Sequence, residues 1–284
     1  MDYRFLRFPD GKAKAVTFSY DDGNRSDLRL SQLFDRYGLK GTFNLNNNVL
    51  ESPSERTLCR DDVLTLLDAG HEIAVHGARH KAPGKCTPLE GIRDILENRS
   101  ALEKAFGRII RGMAYPDSGI NCFDNGANYE SIRRYLQDLD IVYARSIEGD
   151  NDSFSLPQDW YNWTPTAHHA NPQIEDYMAS FLAIDVDRLY VASRSPRLFF
   201  VWGHSWEFDQ NHNWDLAEHI YKTLSGHQDV WYATNMDIYK YVSAYNSLVF
   251  SADSRMVYNP SLLTIWFNVD GALYSIAPGQ TIQL

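Results

Sequence analysis

Short apolar runs rich in β-branched and aromatic residues alternate along the chain with stretches of helical period. The runs are KAVTFS (14–19), GTFNL (41–45), EIAVH (72–76), IIRGMAY (109–115), DIVYAR (140–145), RLFFVW (197–202) and DVWYAT (229–234), and each has the length of a buried strand. Between them, Leu30, Leu33, Phe34 and Tyr37 recur at i, i+3, i+4 and i+7. Ile132, Tyr135, Leu136 and Leu139 do the same, as do Ile174, Tyr177, Met178 and Phe181; this spacing places apolar side chains on one helical face. A further helix over about 88–106 opens on Thr87-Pro88-Leu89-Glu90, a capping box with proline at the first helical position, and ends at Gly107. Asn171-Pro172 opens another in a similar way.

Seven strand–helix alternations predict a parallel sheet covered by helices. The expected fold is α/β: an irregular (β/α)7 barrel, closed or nearly closed, with an open doubly wound sheet as the alternative. The segment 146–170 is polar, aromatic and long for a loop, a combination usually tied to function. After about residue 246 the pattern changes to LVFSA, MVYN, LLTIWFNV and ALYSI, punctuated by Asn259-Pro260, Asp270-Gly271 and Pro278-Gly279. The expectation is a barrel domain over 1–245 and a short antiparallel β appendage over 246–284 packed on it.

Composition narrows the function by exclusion. Lys and Arg number 27 against 37 Asp and Glu, a net charge of −10, which argues against nucleic-acid binding through a broad basic face. No apolar run reaches the ~20 residues of a spanning helix, so no membrane insertion is expected. MDYRFLRFPDGK lacks the apolar core of a signal peptide. Cys59, Cys86 and Cys122 are three and widely spaced, and imply neither a disulfide framework nor a CxxC metal site. The expectation is a soluble, cytoplasmic protein. Its oligomeric state stays open, because the C-terminal strands would either cover a barrel edge or build a homo-oligomer.

In parallel α/β folds the chemistry gathers at the carboxyl ends of the strands. There the chain places Tyr20-Asp21-Asp22-Gly23, then Asn44 and Asn46, then His76-Gly77-Ala78-Arg79-His80, then Tyr115-Pro116-Asp117, then Arg145, and last Trp202-Gly203-His204-Ser205-Trp206-Glu207. His76 and His80 have i, i+4 spacing. Two imidazoles and one carboxylate with open positions make a hydrolytic metal site. One of Asp21 and Asp22 supplies the third ligand, and the other stands near enough to act as general base. His204, from another strand end, is the natural general acid. Each part alone has an ordinary structural reading; their joint position at successive strand ends points to a site.

The motifs TFSYDDG (17–23), HGARH (76–80), AYPDSG (114–119), the region QDWYNW (158–163) and VWGHS (201–205) resemble, in order, those of the NodB-type polysaccharide deacetylases, carbohydrate esterase family four. The resemblance spans roughly 12–245 and implies a seven-stranded irregular barrel. It also implies roles: Asp21 as catalytic base; Asp22, His76 and His80 as metal ligands; the Asp117 N–H in an oxyanion hole; His204 as general acid. The chain departs from the family in three places. Gly77 stands where Ser or Thr is usual. Ala114 stands where an arginine pairs with the catalytic carboxylate, with Arg111 and Arg145 as the two candidates to replace it. The fourth motif aligns only approximately. These departures mark a divergent branch.

The expected function is metal-dependent removal of N-acetyl groups from a polysaccharide or oligosaccharide by hydrolysis of a carbon–nitrogen bond that is not a peptide bond. Zinc is the first choice of metal, with cobalt, nickel or iron as alternatives. Tyr115, Arg145, Trp160, Trp163, Trp206 and Glu207 are the expected substrate contacts, aromatic rings being suited to the apolar faces of sugars. Two rivals are a related hydrolase of small cyclic amides and a carbohydrate-binding protein without catalysis; retention of both histidines and both aspartates argues against the latter.

Overall fold

The computed structural model describes residues 3–52, 54–147 and 149–284. Met1 and Asp2, the start of the expected barrel domain, lie outside the described residues, as do Pro53 and Glu148. The strands are β1 (Arg4–Arg7), β2 (Lys14–Asp21), β3 (Gly41–Leu45), β4 (Glu72–Val75), β5 (Gly112–Ala114), β6 (Tyr143–Arg145), β7 (Ala167–His168), β8 (Arg197–Gly203), β9 (Val230–Tyr232), β10 (Val249–Phe250), β11 (Met256–Tyr258), β12 (Ile265–Val269), β13 (Ala272–Ile276) and β14 (Thr281–Gln283). The helices are α1 (Ser26–Arg36), α2 (Asn48–Glu51), α3 (Arg60–Asp68), α4 (Pro88–Phe106), α5 (Tyr129–Asp138), α6 (Ile174–Ala183), α7 (Trp206–Gln210), α8 (Trp214–Leu224) and α9 (Asn235–Asn246). Among the described residues no helix is long and apolar enough to cross a membrane.

The main sheet runs β6-β5-β4-β3-β2-β8-β7, and β9 pairs with the start of β2. All of its pairings are parallel. Its two edges meet where Arg145 bridges Trp163, with Trp163 N–H donating to Ala144 O at 3.1 Å and Ser146 N–H to Trp163 O at 3.1 Å. The irregular parallel (β/α) barrel read from the alternation is therefore present. Its circuit includes β7, which was not expected: two residues inside the long 146–170 segment carry no periodic signal of their own. The expected strand at 229–234 is the short β9, beside only the first residues of β2.

Strand parity sorts the side chains into two layers, since successive residues point to opposite faces. On β2, Val16, Phe18 and Tyr20 pack outward with Leu30, Leu33 and Phe34 of α1. Ala15, Thr17, Ser19 and Asp21 form the alternate set and are all buried. The floor of the barrel is a second apolar cluster: Leu198, Phe200, Tyr143 and Trp163 join Ile238, Tyr241 and Val242 of α9 and Val257, Ile265, Phe267 and Ile276 of the C-terminal strands. These strands form two antiparallel sheets, β1-β12-β13 and β10-β11-β14. The appendage thus recruits Arg4–Arg7 from the other end of the chain, pairing Leu6 with Phe267.

Helix ends follow local chemistry. At α4, Thr87 Oγ1 accepts from Glu90 N–H and Glu90 accepts in return from Thr87 N–H, while Gly107 takes a left-handed φ of 63°. α6 begins at Ile174 rather than at Pro172, because the Asn171 side chain accepts from Gln173 N–H and forms a turn first. Beneath the barrel, Glu72 accepts from Tyr143 Oη (2.6 Å), Thr42 Oγ1 (2.9 Å) and Met236 N–H (2.8 Å), tying the start of α9 to β3, β4 and β6. Gly112 makes room for this, since a Cβ there would lie 2.2 Å from Tyr143 Oη.

Burial pushes the Glu72 carboxyl up to about 7, against the pull of its three donors. A carboxyl raised on folding contributes stability that is complete below its unfolded value and is lost as pH rises through about 7. Unfolding free energy, measured by urea melts from pH 4.5 to 8, should fall across that window. The fall should be smaller in Glu72→Gln; identical slopes in both proteins would refute the assignment.

Candidate active site

Asp21 ends β2 inside the barrel. Its Oδ1 accepts from Asn44 Nδ2 at 2.8 Å and its Oδ2 from Arg145 Nη2 at 2.5 Å. Asp21 is 2% exposed and Arg145 0%. Of the two candidate arginines, Arg145 is therefore the one that meets the carboxylate; Arg111 turns outward to Asp140. Ala114 and Arg145 are direct register partners on β5 and β6, so the guanidinium enters from the neighbouring strand at the same level.

Asp22 follows on left-handed backbone, φ 80°, as do His80 at 53° and Asp117 at 51°. Each such residue costs of order 1–3 kcal/mol, and strain of this kind concentrates at functional sites. Asp22 Oδ1 lies 3.2 Å from His80 Nε2 and 3.6 Å from His76 Nε2. One ligand atom from each of Asp22, His76 and His80 fits within 4.8 Å of the others. His76 Nδ1 lies 2.9 Å from Ala114 O, which can only accept, so Nδ1 carries the proton. Burial lowers the pKa of His76 against the pull of Asp21 and Asp22, and the neutral ring turns a bare Nε2 towards two carboxylates. Lone pair and carboxylate oxygens face one another, an arrangement a cation relieves. The donor set fits a divalent metal. Asp22 is held below the usual carboxylate range: burial raises it, but the His80 hydrogen bond and the charges of His76 and His204 outweigh that.

His204 stands on the other side of the same carboxylate, Nε2 3.8 Å from Asp22 Oδ2, with Nδ1 3.3 Å from Glu207 Oε1. Burial pulls its pKa down, yet Glu207, Asp21 and Asp22 leave it raised. The Asp117 N–H has no hydrogen-bond partner among the described residues.

The expected substrate contacts separate. Trp206 is half-buried, its ring 5.3 Å from that of His204, and lines a groove of about 750 Å3 with Asn24, Arg25, Ser26, Glu55, Arg56, Asp209 and Gln210. The others point elsewhere. Tyr115 is buried against the helices and donates to Tyr161 O. Trp163 is 1% exposed in the barrel floor, with Trp160 edge-on to it at 4.9 Å. Arg145 belongs to Asp21 rather than to a ligand. Glu207 is turned to imidazoles, with Oε2 3.1 Å from His168 Nε2. For Trp160 and Trp163 the cause is that 158–163 runs alongside β6 as part of the barrel wall, where both rings join the floor cluster, and Asp159 is taken by Tyr129.

Residues outside the motifs complete the site. Asp94 of α4 reaches under Gly77, whose left-handed φ is 74°, and accepts from Arg79 N–H at 3.0 Å; a Cβ on Gly77 would lie 2.5 Å from Asp94 Oδ2. Asp27 accepts from Ser205 Oγ at 2.6 Å beside His204. Neither carries a local sequence signal, since Asp27 reads as a first-turn helix acid and Asp94 as a polar position within α4.

Fold and site together define a parallel (β/α)-barrel protein with its acid–imidazole centre at the carboxyl ends of the strands. The polysaccharide deacetylase family model matches residues 9–142. Among solved structures, a Mycobacterium smegmatis protein assigned as a polysaccharide deacetylase has a TM-score of 0.58 at 18% identity, covering 87% of this chain and 96% of that one. Puue allantoinase gives 0.58 at 14%, covering 82% and 91%. The chitin deacetylase of the fungal pathogen Colletotrichum lindemuthianum gives 0.50 at 15%, covering 82% and 89%. No curated protein matches the sequence. The family match thus covers the first half of the barrel, and the fold as a whole is shared with these solved structures.

Removing one member of a buried ion pair costs about 3–5 kcal/mol. Arg145→Ala should lose about that much in urea melts. Because Ala114 is its register partner, the double variant Arg145→Ala, Ala114→Arg should recover part of the loss; no coupling in the cycle would show that the arginine cannot be supplied from β5.

Proposed function

We propose that this chain is a metal-dependent hydrolase that removes N-acetyl groups from a carbohydrate. The observation that carries the proposal is the two-sided use of Asp22: one oxygen faces His76 and His80, the other faces His204. A donor set and a proton donor thus flank one carboxylate, close enough to act on a single amide.

Asp22, His76 and His80 would hold the metal, zinc first, because two imidazoles and a carboxylate with open positions suit it. When bound, the metal supplies a Lewis acid that makes water acidic and draws electrons from a carbonyl. Asp21 takes the proton of the attacking water, its carboxylate held in one orientation by Arg145 and Asn44. The free Asp117 N–H receives the developing charge on the carbonyl oxygen. His204, with its raised proton affinity, hands a proton from Nε2 to the departing amine, which leaves poorly without one. Trp206 and the polar groove beside it offer an aromatic face and hydrogen-bonding groups to the sugar. The size of that groove favours a glycan over a small cyclic amide.

Two experiments test this reading. Acetate release from a panel of N-acetylated oligosaccharides should be detected with zinc restored and abolished by chelation. Ring opening of cyclic amides without any acetate release would instead favour the rival. Asp21→Asn should keep the metal and lose about 10²–10⁴-fold in turnover, whereas Asp22→Asn, His76→Ala and His80→Ala should lose the metal. Wild-type metal content in both histidine variants would sink the ligand assignment.

A further inference from the structure

Glu207 is approached by three imidazoles. Its Oε1 lies 3.3 Å from His204 Nδ1, and its Oε2 lies 3.1 Å from His168 Nε2 and 3.0 Å from His169 Nε2. Ligand atoms of His168, His204 and Glu207 also fit within 4.8 Å of one another, so the cluster has the composition of a second metal site.

The tautomers decide between the readings. Ala170 N–H, which can only donate, meets His168 Nδ1 at 3.2 Å. The proton of the neutral His168 ring therefore sits on Nε2 and points at the carboxylate, where a metal would need a bare nitrogen. His169 is buried between Tyr20 (5.8 Å, 10°) and Phe208 (4.2 Å, 29°). Burial pushes its pKa down to about 4, so the ring is neutral with a single proton. Its Nδ1 has no partner among the described residues and abuts Gly203, where a Cβ would lie 2.0 Å away. The acceptor is at Nε2, and the proton goes there. Both Nε2 atoms thus face Oε2, at 3.1 and 3.0 Å, as the charged contacts of a buried oxygen that has no aligned hydrogen bond among the described residues. Oε1 is left for His204 Nδ1–H, and His204 Nε2 then faces Asp22.

We propose that His168 and His169 are positioning residues: a two-imidazole clamp that fixes Glu207 and, through it, the tautomer and heading of His204. The proposal rests on the reading of His204 as donor to the leaving amine. The clamp has no contact with the metal ligands and acts only on the leaving-group step. Gly203, at the end of β8, is what lets His169 lie close enough to take part.

The test combines a spectrum with a substrate comparison. In the ¹⁵N NMR spectrum of the zinc-loaded protein, His168 and His169 should appear as Nε2–H tautomers, and His204 should carry a proton on Nδ1 at every pH, with Nε2 the nitrogen that titrates. His168→Leu and His169→Leu should lower turnover on an N-acetyl amide about 10–100-fold. They should leave metal content unchanged and barely affect an activated acetyl ester, whose leaving group departs without a proton. His168→Gln, which keeps a donor near the Nε2 position, should retain most amide turnover. An Nδ1–H tautomer at His168, or equal loss on amide and ester, would overturn the clamp. So would a second equivalent of metal lost with His168→Leu, which would make the cluster a metal site. Failure of the wild type on both substrates would count against the proposed function, while the spectrum would still decide the clamp.

Discussion

The ion pair between Asp21 and Arg145 is the constraint around which the barrel is arranged. Both residues are buried, and β2 and β6 are not neighbours in the sheet, so the guanidinium crosses the interior to reach its partner. Two charges withdrawn from water are tolerable only while they stay together. The barrel must remain narrow at this level, and the inward positions beside the pair are small: Ala74 on β4 and Ala114 on β5. Arg145 also stacks on Trp202, 4.7 Å from the ring centroid, which places an aromatic wall between the Asp21 side of the site and His168 and His204. From this one pairing follow the heading of Asp21 and the size of the space above it. The left-handed turn at Asp22 then turns its carboxylate towards His76 and His80.

Each departure from the family motifs has a structural counterpart nearby. The arginine missing at Ala114 returns one strand over, at the same register. The hydroxyl missing at Gly77 is answered by Asp94, which reaches into the space a side chain would fill and holds the Arg79 amide. The loosely matching fourth motif has left the site altogether, with Trp160 and Trp163 in the barrel floor. Glu207, three residues beyond His204, is the carboxylate that faces that imidazole.

The strand–helix alternation of the barrel was legible because burial on both faces gives continuous apolar runs, and α4 because its capping box is local chemistry. The residues gathered around Asp22 were legible because motifs fix them at strand ends. β7 and β1 were not legible. Two residues of β7 have no period, and β1 forms only because β12, more than 250 residues away, offers it an edge. Tyr115 and Trp163 were misplaced for one reason: an aromatic residue near a strand end reads as a sugar contact, but parity sends Tyr115 outward to the helices and Trp163 inward to the floor. The choice between Arg111 and Arg145 could not be made from sequence, because both lie near strand ends. Parity would have favoured Arg145 had the phase of β6 been known: Tyr143 and Arg145 point in, Ala144 out.

The groups that stayed in place and those that moved differ in what geometry asks of them. A metal ligand must present one atom at one point, with bond lengths set within about 0.2 Å, and that leaves little freedom in where its Cα sits. A brace needs only to deliver a donor or a charge to the back of another side chain. In a parallel barrel, register partners on adjacent strands stand at the same height, so a long arginine rooted on β6 reaches a point that one rooted on β5 also reaches. Histidine at 168 and 169 and glutamate at 207 meet this looser demand from the end of a two-residue strand and a short helix. A motif search weighs both kinds of position alike. The physical distinction is between atoms that meet the reacting centre and atoms that hold those in place, and in this chain only the second kind has changed its root.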